Sequence, residues 1–144
     1  MIAVDTNLLV YAHREDSEFH DQARESLVQL AEQDAAWAIP WPCIHEFVAI
    51  VTHPRIYDPP TPLFKALQAM AVWLEAPSCR LLSEGPGYWE TLKHVAHAAK
   101  SCGPKVHDAR IAALCLHHGV RELWTADRDF SRFSDLRTKN PLIM

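Results

Sequence analysis

The chain has 144 residues, a length that fits one domain with a substantial hydrophobic core. Its hydrophobic fraction of 49% and charged fraction of 22% are ordinary for a soluble globular protein. No apolar run approaches the length of a membrane span, and no basic-then-apolar signal segment opens the sequence, so we expect no contact with a membrane.

The four cysteines are scattered, without a C-x-x-C pair, which favours reduced thiols and a cytoplasmic location. None of the nine histidines forms an H-x-x-x-H pair beside an acid, so the histidines do not indicate a metal site. The net charge of −4 argues against a nucleic-acid partner. However, residues 1–99 hold 6 basic and 13 acidic side chains, net −7, whereas residues 100–144 hold 8 and 5, net +3. An anionic phosphodiester is therefore acceptable near this C-terminal segment, although a long basic groove is not predicted.

Strand and helix signals alternate along the chain without repeats, which predicts an α/β fold. We expect a single domain over residues 1–144, with a central parallel sheet of four to five strands flanked by helices. The predicted strands are residues 1–4, 36–39, 80–82, 122–125 and, as an edge strand, 135–139.

Helical spacing of apolar residues predicts a helix in each connection, including a short one over residues 8–12 and a last one over about 105–118. The pair Thr61-Pro62 is typical of an N-cap and a first helical turn. The predicted core-facing residues of two of the helices are Leu63, Leu67, Met70 and Leu74 in one, and Trp89, Leu92 and Ala96, with Val95 beside them, in another.

Four acidic residues fall where predicted strands end or helices begin. Asp5 ends the first strand, Glu46 and Asp108 lie in the first turns of helices, and Asp127 follows the fourth strand. Parallel α/β sheets build their sites at the carboxyl edge, so we expect these acids to converge there. A pocket of carboxylates repels itself without bound cations. Oxygen ligands favour Mg²⁺ or Mn²⁺ over zinc.

Each acid also has an ordinary structural interpretation. Asp5 could be a turn or cap residue, and Asp108 could serve only its helix terminus. Glu46 could be a solvated acid favoured by the helix dipole, and Asp127 could be an unremarkable turn residue. Asp129 could be a metal ligand, a neighbour of one or a turn acid. The joint pattern favours a metal site.

Two polar residues beside these acids could orient them. Asn7 could hydrogen-bond to Asp5, or equally cap the helix itself. Thr125 could hydrogen-bond to Asp127 or to Asp129.

With these motifs the chain resembles a PIN domain and, within that family, the VapC ribonuclease toxins of prokaryotic toxin–antitoxin systems. The resemblance rests on Asp5-Thr6-Asn7, His45-Glu46-Phe47, Val106-His107-Asp108-Ala109 and Thr125-Ala126-Asp127-Arg128-Asp129-Phe130. The order and spacing of these motifs span nearly the whole chain.

The resemblance implies a parallel sheet flanked by helices and an endoribonuclease that depends on Mg²⁺ or Mn²⁺. It also implies a homodimer, silenced by a VapB-type antitoxin whose C-terminal segment enters the acidic pocket. It makes Asp5, Glu46, Asp108 and Asp127 the catalytic acids and metal ligands, with Asp129 as a further ligand where the family varies most. In our hypothesis Glu46 holds a second ion or helps to activate the attacking water.

Other function classes fit less well. A haloacid-dehalogenase-type phosphatase needs a second Asp two residues after the first, and this chain has Asn7 there. A phosphoacceptor receiver domain would need an acidic pair and a nearby Lys, a set that we do not find. A PIN-like module that binds a partner with little or no nuclease activity stays as the alternative, and the absence of Mg²⁺ or Mn²⁺ binding would favour it.

Overall fold

A computed structural model describes residues 1–143 and contains a five-stranded, fully parallel sheet. The strands are β1 (Ile2–Val4), β2 (Trp37–Pro40), β3 (Cys79–Leu82), β4 (Glu122–Trp124) and β5 (Thr138–Lys139). Their order is β3-β2-β1-β4-β5, so the first strand of the chain is the central one. The predicted α/β class and the predicted fifth strand at the sheet edge are both confirmed.

Six α-helices and one 3-10 helix connect the strands. The α-helices are α1 (Thr6–His13), α2 (His20–Glu32), α3 (Trp41–Val51), α4 (Leu63–Leu74), α5 (Tyr88–Ala98) and α6 (Lys105–His117). The 3-10 helix spans Arg128–Arg132, between β4 and β5. Within residues 1–143, every helix is too short or too polar to cross a membrane.

The centre of the sheet is fully buried, as expected for parallel strands covered on both faces. Ala3 and Val4 of β1 and Ala38 of β2 have no solvent-exposed surface. In the register of β1 against β4, Val4 pairs with Trp124, the last residue of β4. The residues that follow these two strands therefore leave the sheet side by side, which places their side chains at one end of the molecule.

The predicted core stripe of α4 is wrong at its N-terminal half. Leu63 and Leu67 are 58% and 52% exposed, whereas Ala66 and Met70 form the buried face. Because α4 carries apolar residues almost all round, periodicity does not determine which face of this helix contacts the core. Its position on α3 and β3 decides instead.

Two smaller predictions are also wrong. Trp89, predicted to point inward, is 63% exposed, and Tyr88 and Val95 are the buried residues of α5. Thr61 does not cap α4, whose N-cap is Pro62. The Thr61 hydroxyl lies 3.1 Å from His13 Nε2 and accepts a hydrogen bond from Arg14, so tertiary contacts hold it away from the helix terminus.

Candidate metal centre at the carboxyl edge of the sheet

Asp5 lies at the end of the central strand and is 4% exposed. It is the N-cap of α1, and its Oδ1 atom accepts a hydrogen bond of 2.8 Å from the Thr6 backbone N–H. Its Oδ2 atom accepts 2.7 Å and 3.2 Å hydrogen bonds from the Thr125 hydroxyl and the Asn7 amide. The cap interpretation of Asp5 is therefore confirmed, but the carboxylate is also tied to residues from the far end of the chain.

Thr125 is the residue that joins the ends of β1 and β4. Its hydroxyl donates to Asp5 and accepts from Asn7 Nδ2 at 3.2 Å and from the Asp127 backbone N–H at 3.0 Å. The Asn7 side-chain oxygen accepts in turn from the Ala126 backbone N–H at 3.1 Å. We call Asp5, Thr6, Asn7 and Thr125 the inner network. It fixes the backbone that leads to Asp127.

The four acceptor positions of the Asp5 carboxylate are all in use. The fourth donor is the buried thiol of Cys43, whose Sγ lies 3.6 Å from Oδ1. Burial and the charge of Asp5 raise the pKa of the Cys43 thiol, so it stays protonated and able to donate. Burial is also the main cause that raises the pKa of Asp5 to about 6, against the opposing hydrogen bonds from Thr125 and Thr6.

Glu46 of α3 lies beside the inner network. Its Oε2 atom accepts a hydrogen bond of 2.7 Å from the Thr6 hydroxyl, which orients the carboxylate. Its charge contributes to raising the pKa of both Asp5 and Asp108. Glu46 therefore lies within electrostatic reach of acids from two other parts of the chain.

Three further carboxylates meet in front of the inner network. Asp108, Asp127 and Asp129 each offer one oxygen, and these oxygens all lie within 4.8 Å of one another. We call these three residues the outer cluster. Asp108 comes from the first turn of α6, which is anchored by the fully buried Ala109. Asp127 caps the 3-10 helix by accepting the Asp129 backbone N–H at 2.8 Å, and Phe130, 1% exposed, anchors that helix in the core.

The electrostatics of the outer cluster favour a cation. Burial is the first cause that raises the pKa of Asp108, followed by the charges of Asp127, Asp129 and Glu46, while Arg132 opposes the shift. Like charges held this close disfavour full ionisation unless positive charge is added. Three carboxylate oxygens from two elements are the donors that Mg²⁺ or Mn²⁺ prefers, and the chemistry of the residues fits such an ion.

The four acids of the predicted quartet lie at one edge of the sheet, but in different surroundings. Asp108 and Asp127 come together with Asp129, whereas Asp5 and Glu46 are held by hydrogen bonds to neighbouring side chains. Thr6 and Cys43 have direct contacts to these acids that the sequence did not reveal. The Thr125 hydroxyl bonds to Asp5, 120 residues away, rather than to the side chain of Asp127 or Asp129.

The candidate site lies outside the largest of the described clefts. That cleft, of about 490 Å³, lies between α2 and α4 and is lined by residues such as Leu27, Val28, Val72 and Trp73. It contains none of the clustered acids.

Comparison with known proteins agrees with the motifs. The PIN domain family matches residues 2–136. Ribonuclease VapC43 of Mycobacterium tuberculosis is 36% identical over 99% of this chain and 96% of its own length. Ribonuclease VapC48 of the same species is 31% identical over 95% and 94%. The structure of VapBC2 from Rickettsia felis, bound to a promoter DNA fragment, superposes with a TM-score of 0.72 and 18% identity, covering 97% of this chain and 98% of that one.

Proposed function

The chain belongs to the PIN-domain family, within its VapC group, and on that premise we propose that it is a metal-dependent endoribonuclease of the toxin type. The observation that carries the proposal is the outer cluster, in which Asp108, Asp127 and Asp129 bring three carboxylate oxygens within 4.8 Å of one another. The three carboxylates repel one another when no cation is bound, and a divalent cation held between them removes that repulsion.

In this proposal the outer cluster holds Mg²⁺ or Mn²⁺. The bound ion would supply a nucleophile near neutral pH and stabilise negative charge on the phosphoryl oxygens. Asp5 is a further ligand, and the weak 3.6 Å contact from Cys43 is the one that would yield to make an oxygen available. Glu46, oriented by Thr6, holds a second ion or accepts a proton from the attacking water.

The substrate we propose is RNA, cut by water rather than by its own ribose hydroxyl. The products would then carry 5′-phosphate ends. Support comes from the relatives, which are named ribonucleases at 31% and 36% identity over nearly the whole chain. The +3 charge of residues 100–144, which include Asp108 and Asp127, supports the approach of an anionic polymer to this edge.

A VapB-type antitoxin is the proposed inhibitor, with its C-terminal segment entering the acidic pocket. Support is indirect, since the fold matches a toxin seen in a VapBC assembly. A homodimer and a cytoplasmic location belong to the same proposal, and the four free cysteines suit a reducing compartment. Co-purification with the product of an adjacent small reading frame, followed by loss of nuclease activity, is the expected behaviour.

The direct test is RNA cleavage by chelator-treated protein with Mg²⁺ or Mn²⁺ added back. We expect no cleavage without the ion, restoration on its addition and 5′-phosphate ends on the fragments. Asp108→Asn should lose this activity. Asp21→Asn, which removes an exposed acid from α2, is the matched control and should cleave like the wild-type protein.

Two results would contradict the proposal. Ends with a 2′,3′-cyclic phosphate would mean that the ribose hydroxyl attacks, and the water mechanism would be wrong. Calorimetry that detects neither Mg²⁺ nor Mn²⁺ binding would favour the partner-binding module instead.

A further inference from the structure

Arg132 ends the 3-10 helix that carries Asp129, and one part of its side chain is held in place. Its Nε atom donates a hydrogen bond of 3.2 Å to the Asp129 backbone carbonyl. The residue is partly buried and lines a small cleft, of about 30 Å³, together with Val95 and Leu116 from α5 and α6. The guanidinium group is thus hydrogen-bonded to the backbone of one member of the outer cluster.

The two terminal nitrogens of Arg132 are left without an acidic partner. Among the described residues the ion pairs within 4.0 Å include Arg110 with Glu84 and Arg14 with Asp16, but none that involves Arg132. Arg132 nevertheless lies beside the outer cluster, because its Nε atom donates to the backbone carbonyl of Asp129. A guanidinium group beside three carboxylates that pairs with none of them has donors available for a ligand.

We propose that Arg132 binds a non-bridging oxygen of the RNA phosphate next to the outer cluster and thereby fixes the register of the strand. This inference rests on the proposed ribonuclease function and adds to it the residue that holds the substrate. A guanidinium group is suited to the task because its planar donors match two phosphate oxygens at once and its charge is permanent. The need is physical, because carboxylates alone would repel the backbone that they are meant to cut.

Other basic residues near the site are less suited. Arg110 faces Glu84 at 3.4 Å on the exposed side of α6. Arg128 is exposed and precedes Asp129 in the 3-10 helix, and no hydrogen bond is described that anchors its side chain. Arg132 combines an anchored Nε with terminal donors that have no acidic partner.

The test is steady-state cleavage of a short single-stranded RNA by wild-type protein, Arg132→Gln, Arg132→Lys and the control Arg121→Gln. Arg121 is exposed and precedes β4 at the opposite edge of the sheet, so its variant removes the same charge far from the site. For Arg132→Gln we expect KM to rise about tenfold, with a smaller change in kcat. A tenfold change corresponds to the loss of one charge-assisted hydrogen bond. The slope of log(kcat/KM) against log salt should fall in magnitude by about 0.7, the loss of one phosphate contact on a single strand.

Two further readouts separate a phosphate contact from a structural or charge-balancing role. Arg132→Lys keeps the positive charge, so it should keep the salt slope and show an intermediate KM; it also serves as the informative variant if Arg132→Gln does not fold. Mn²⁺ affinity measured by calorimetry should be unchanged or tighter in Arg132→Gln, because a neighbouring positive charge has been removed. A residue that only supported the metal site would weaken Mn²⁺ binding and leave the salt slope unchanged.

The outcomes distinguish this inference from the proposed function. If the wild-type protein cleaves RNA and Arg132→Gln matches Arg121→Gln in KM and in salt slope, the phosphate contact is overturned while the nuclease stands. If the wild-type protein cleaves no RNA with Mg²⁺ or Mn²⁺, the proposed function fails and the role of Arg132 fails with it.

Discussion

The inner network and the outer cluster adjoin each other at the same sheet edge, yet their carboxylates differ in how many hydrogen bonds they accept. Asp5, in the inner network, is 4% exposed and accepts four hydrogen bonds from Thr6, Asn7, Cys43 and Thr125. The outer carboxylates lie within 4.8 Å of one another. The only hydrogen bond described for them is the one that Asp127 accepts from a backbone N–H.

This difference suggests a division of labour in the proposed site. The inner network is organised by the fold, since the donors to Asp5 come from α1, α3 and the residue that follows β4. The outer cluster is positioned by the fold, and Arg132 is the positive charge that opposes the raised pKa of Asp108. We therefore expect a divalent ion to stabilise the outer cluster most, while changes in the inner network affect the pH dependence and the geometry.

Replacing Asp108 in the outer cluster should have the largest effect on the binding of the metal ion. Asp108→Asn removes one ligand and should reduce RNA cleavage at least about a hundredfold, because the ion contributes several kcal/mol to the transition state. In chelator the variant should melt slightly higher than the wild-type protein, since Asp108 carries a raised pKa from burial and like charge. Saturating Mn²⁺ should raise the melting temperature of the wild-type protein more than that of the variant.

The proposed division between the inner network and the outer cluster would be wrong if Mn²⁺ raised the melting temperatures of the wild-type protein and of Asp108→Asn equally. Asp21→Asn provides the matched control, because it removes an exposed acid outside the site. Its cleavage rate and its Mn²⁺-induced shift should both equal those of the wild-type protein.

Replacing Asp5 in the inner network should give the clearest pH signature. Burial raises the pKa of Asp5 to about 6, from the ordinary value of 3.8 for an aspartate side chain. Ionisation is therefore harder in the folded state, and the wild-type protein loses stability relative to Asp5→Asn as pH rises from about 4 to about 6. The shift corresponds to about 3 kcal/mol at most. Urea unfolding of both proteins in chelator, at pH 4 and at pH 7, measures this change.

Asp5→Asn should also abolish cleavage while the protein remains folded. The comparison between pH values matters more than the stability at one pH, because the amide places a donor near Asn7 and adds a constant cost. A stability difference between the two proteins that does not vary with pH would show that Asp5 is not a buried carboxylate of raised pKa. Unchanged cleavage would remove Asp5 from the proposed site.

Thr125→Val is expected to have an intermediate effect, since it keeps the shape of the side chain but removes the hydroxyl that connects Asp5, Asn7 and the Asp127 backbone. Buried donors and acceptors left without partners cost about 1–3 kcal/mol, and we expect the free energy of unfolding to fall by that amount. Cleavage should fall about tenfold through misplacement of Asp127. Thr125→Ser retains the hydroxyl and should retain most of the stability and most of the cleavage rate. Equal losses in Thr125→Val and Thr125→Ser would instead show that the methyl group is responsible.

The sequence predicted the positions of the acids because strand ends can be read from short apolar runs. The runs that end at Val4 and near Trp124 belong to neighbouring parallel strands, so Asp5 and Asp127 had to emerge at the same edge. Glu46 and Asp108 were predicted from their positions in the first turns of helices, and the family resemblance agreed with that assignment. The fold class followed from the same alternation of strands and helices.

What the sequence could not supply was tertiary contact. The bond from Thr125 to Asp5 spans 120 residues, and local pattern favoured the nearer Asp127 and Asp129. The orientation of α4 was missed for the same reason, since a helix that is apolar on most sides takes its buried face from its neighbours. Predictions failed where the local sequence was compatible with several arrangements and tertiary packing determined which one formed.

Asp129→Asn should have the smallest effect of the four variants, and it tests the outer cluster at its most exposed member. The carboxylate is solvated, so its attraction for a nearby ion is weaker than in a buried site, and we expect Mn²⁺ affinity to fall only about tenfold. Cleavage should fall less than in Asp108→Asn. The backbone N–H that bonds to Asp127 is kept, so stability in chelator should change by less than about 0.5 kcal/mol. If calorimetry shows a loss of Mn²⁺ binding as large as that of Asp108→Asn, Asp129 is a principal ligand. Asp108 and Asp129 would then contribute equally to ion binding.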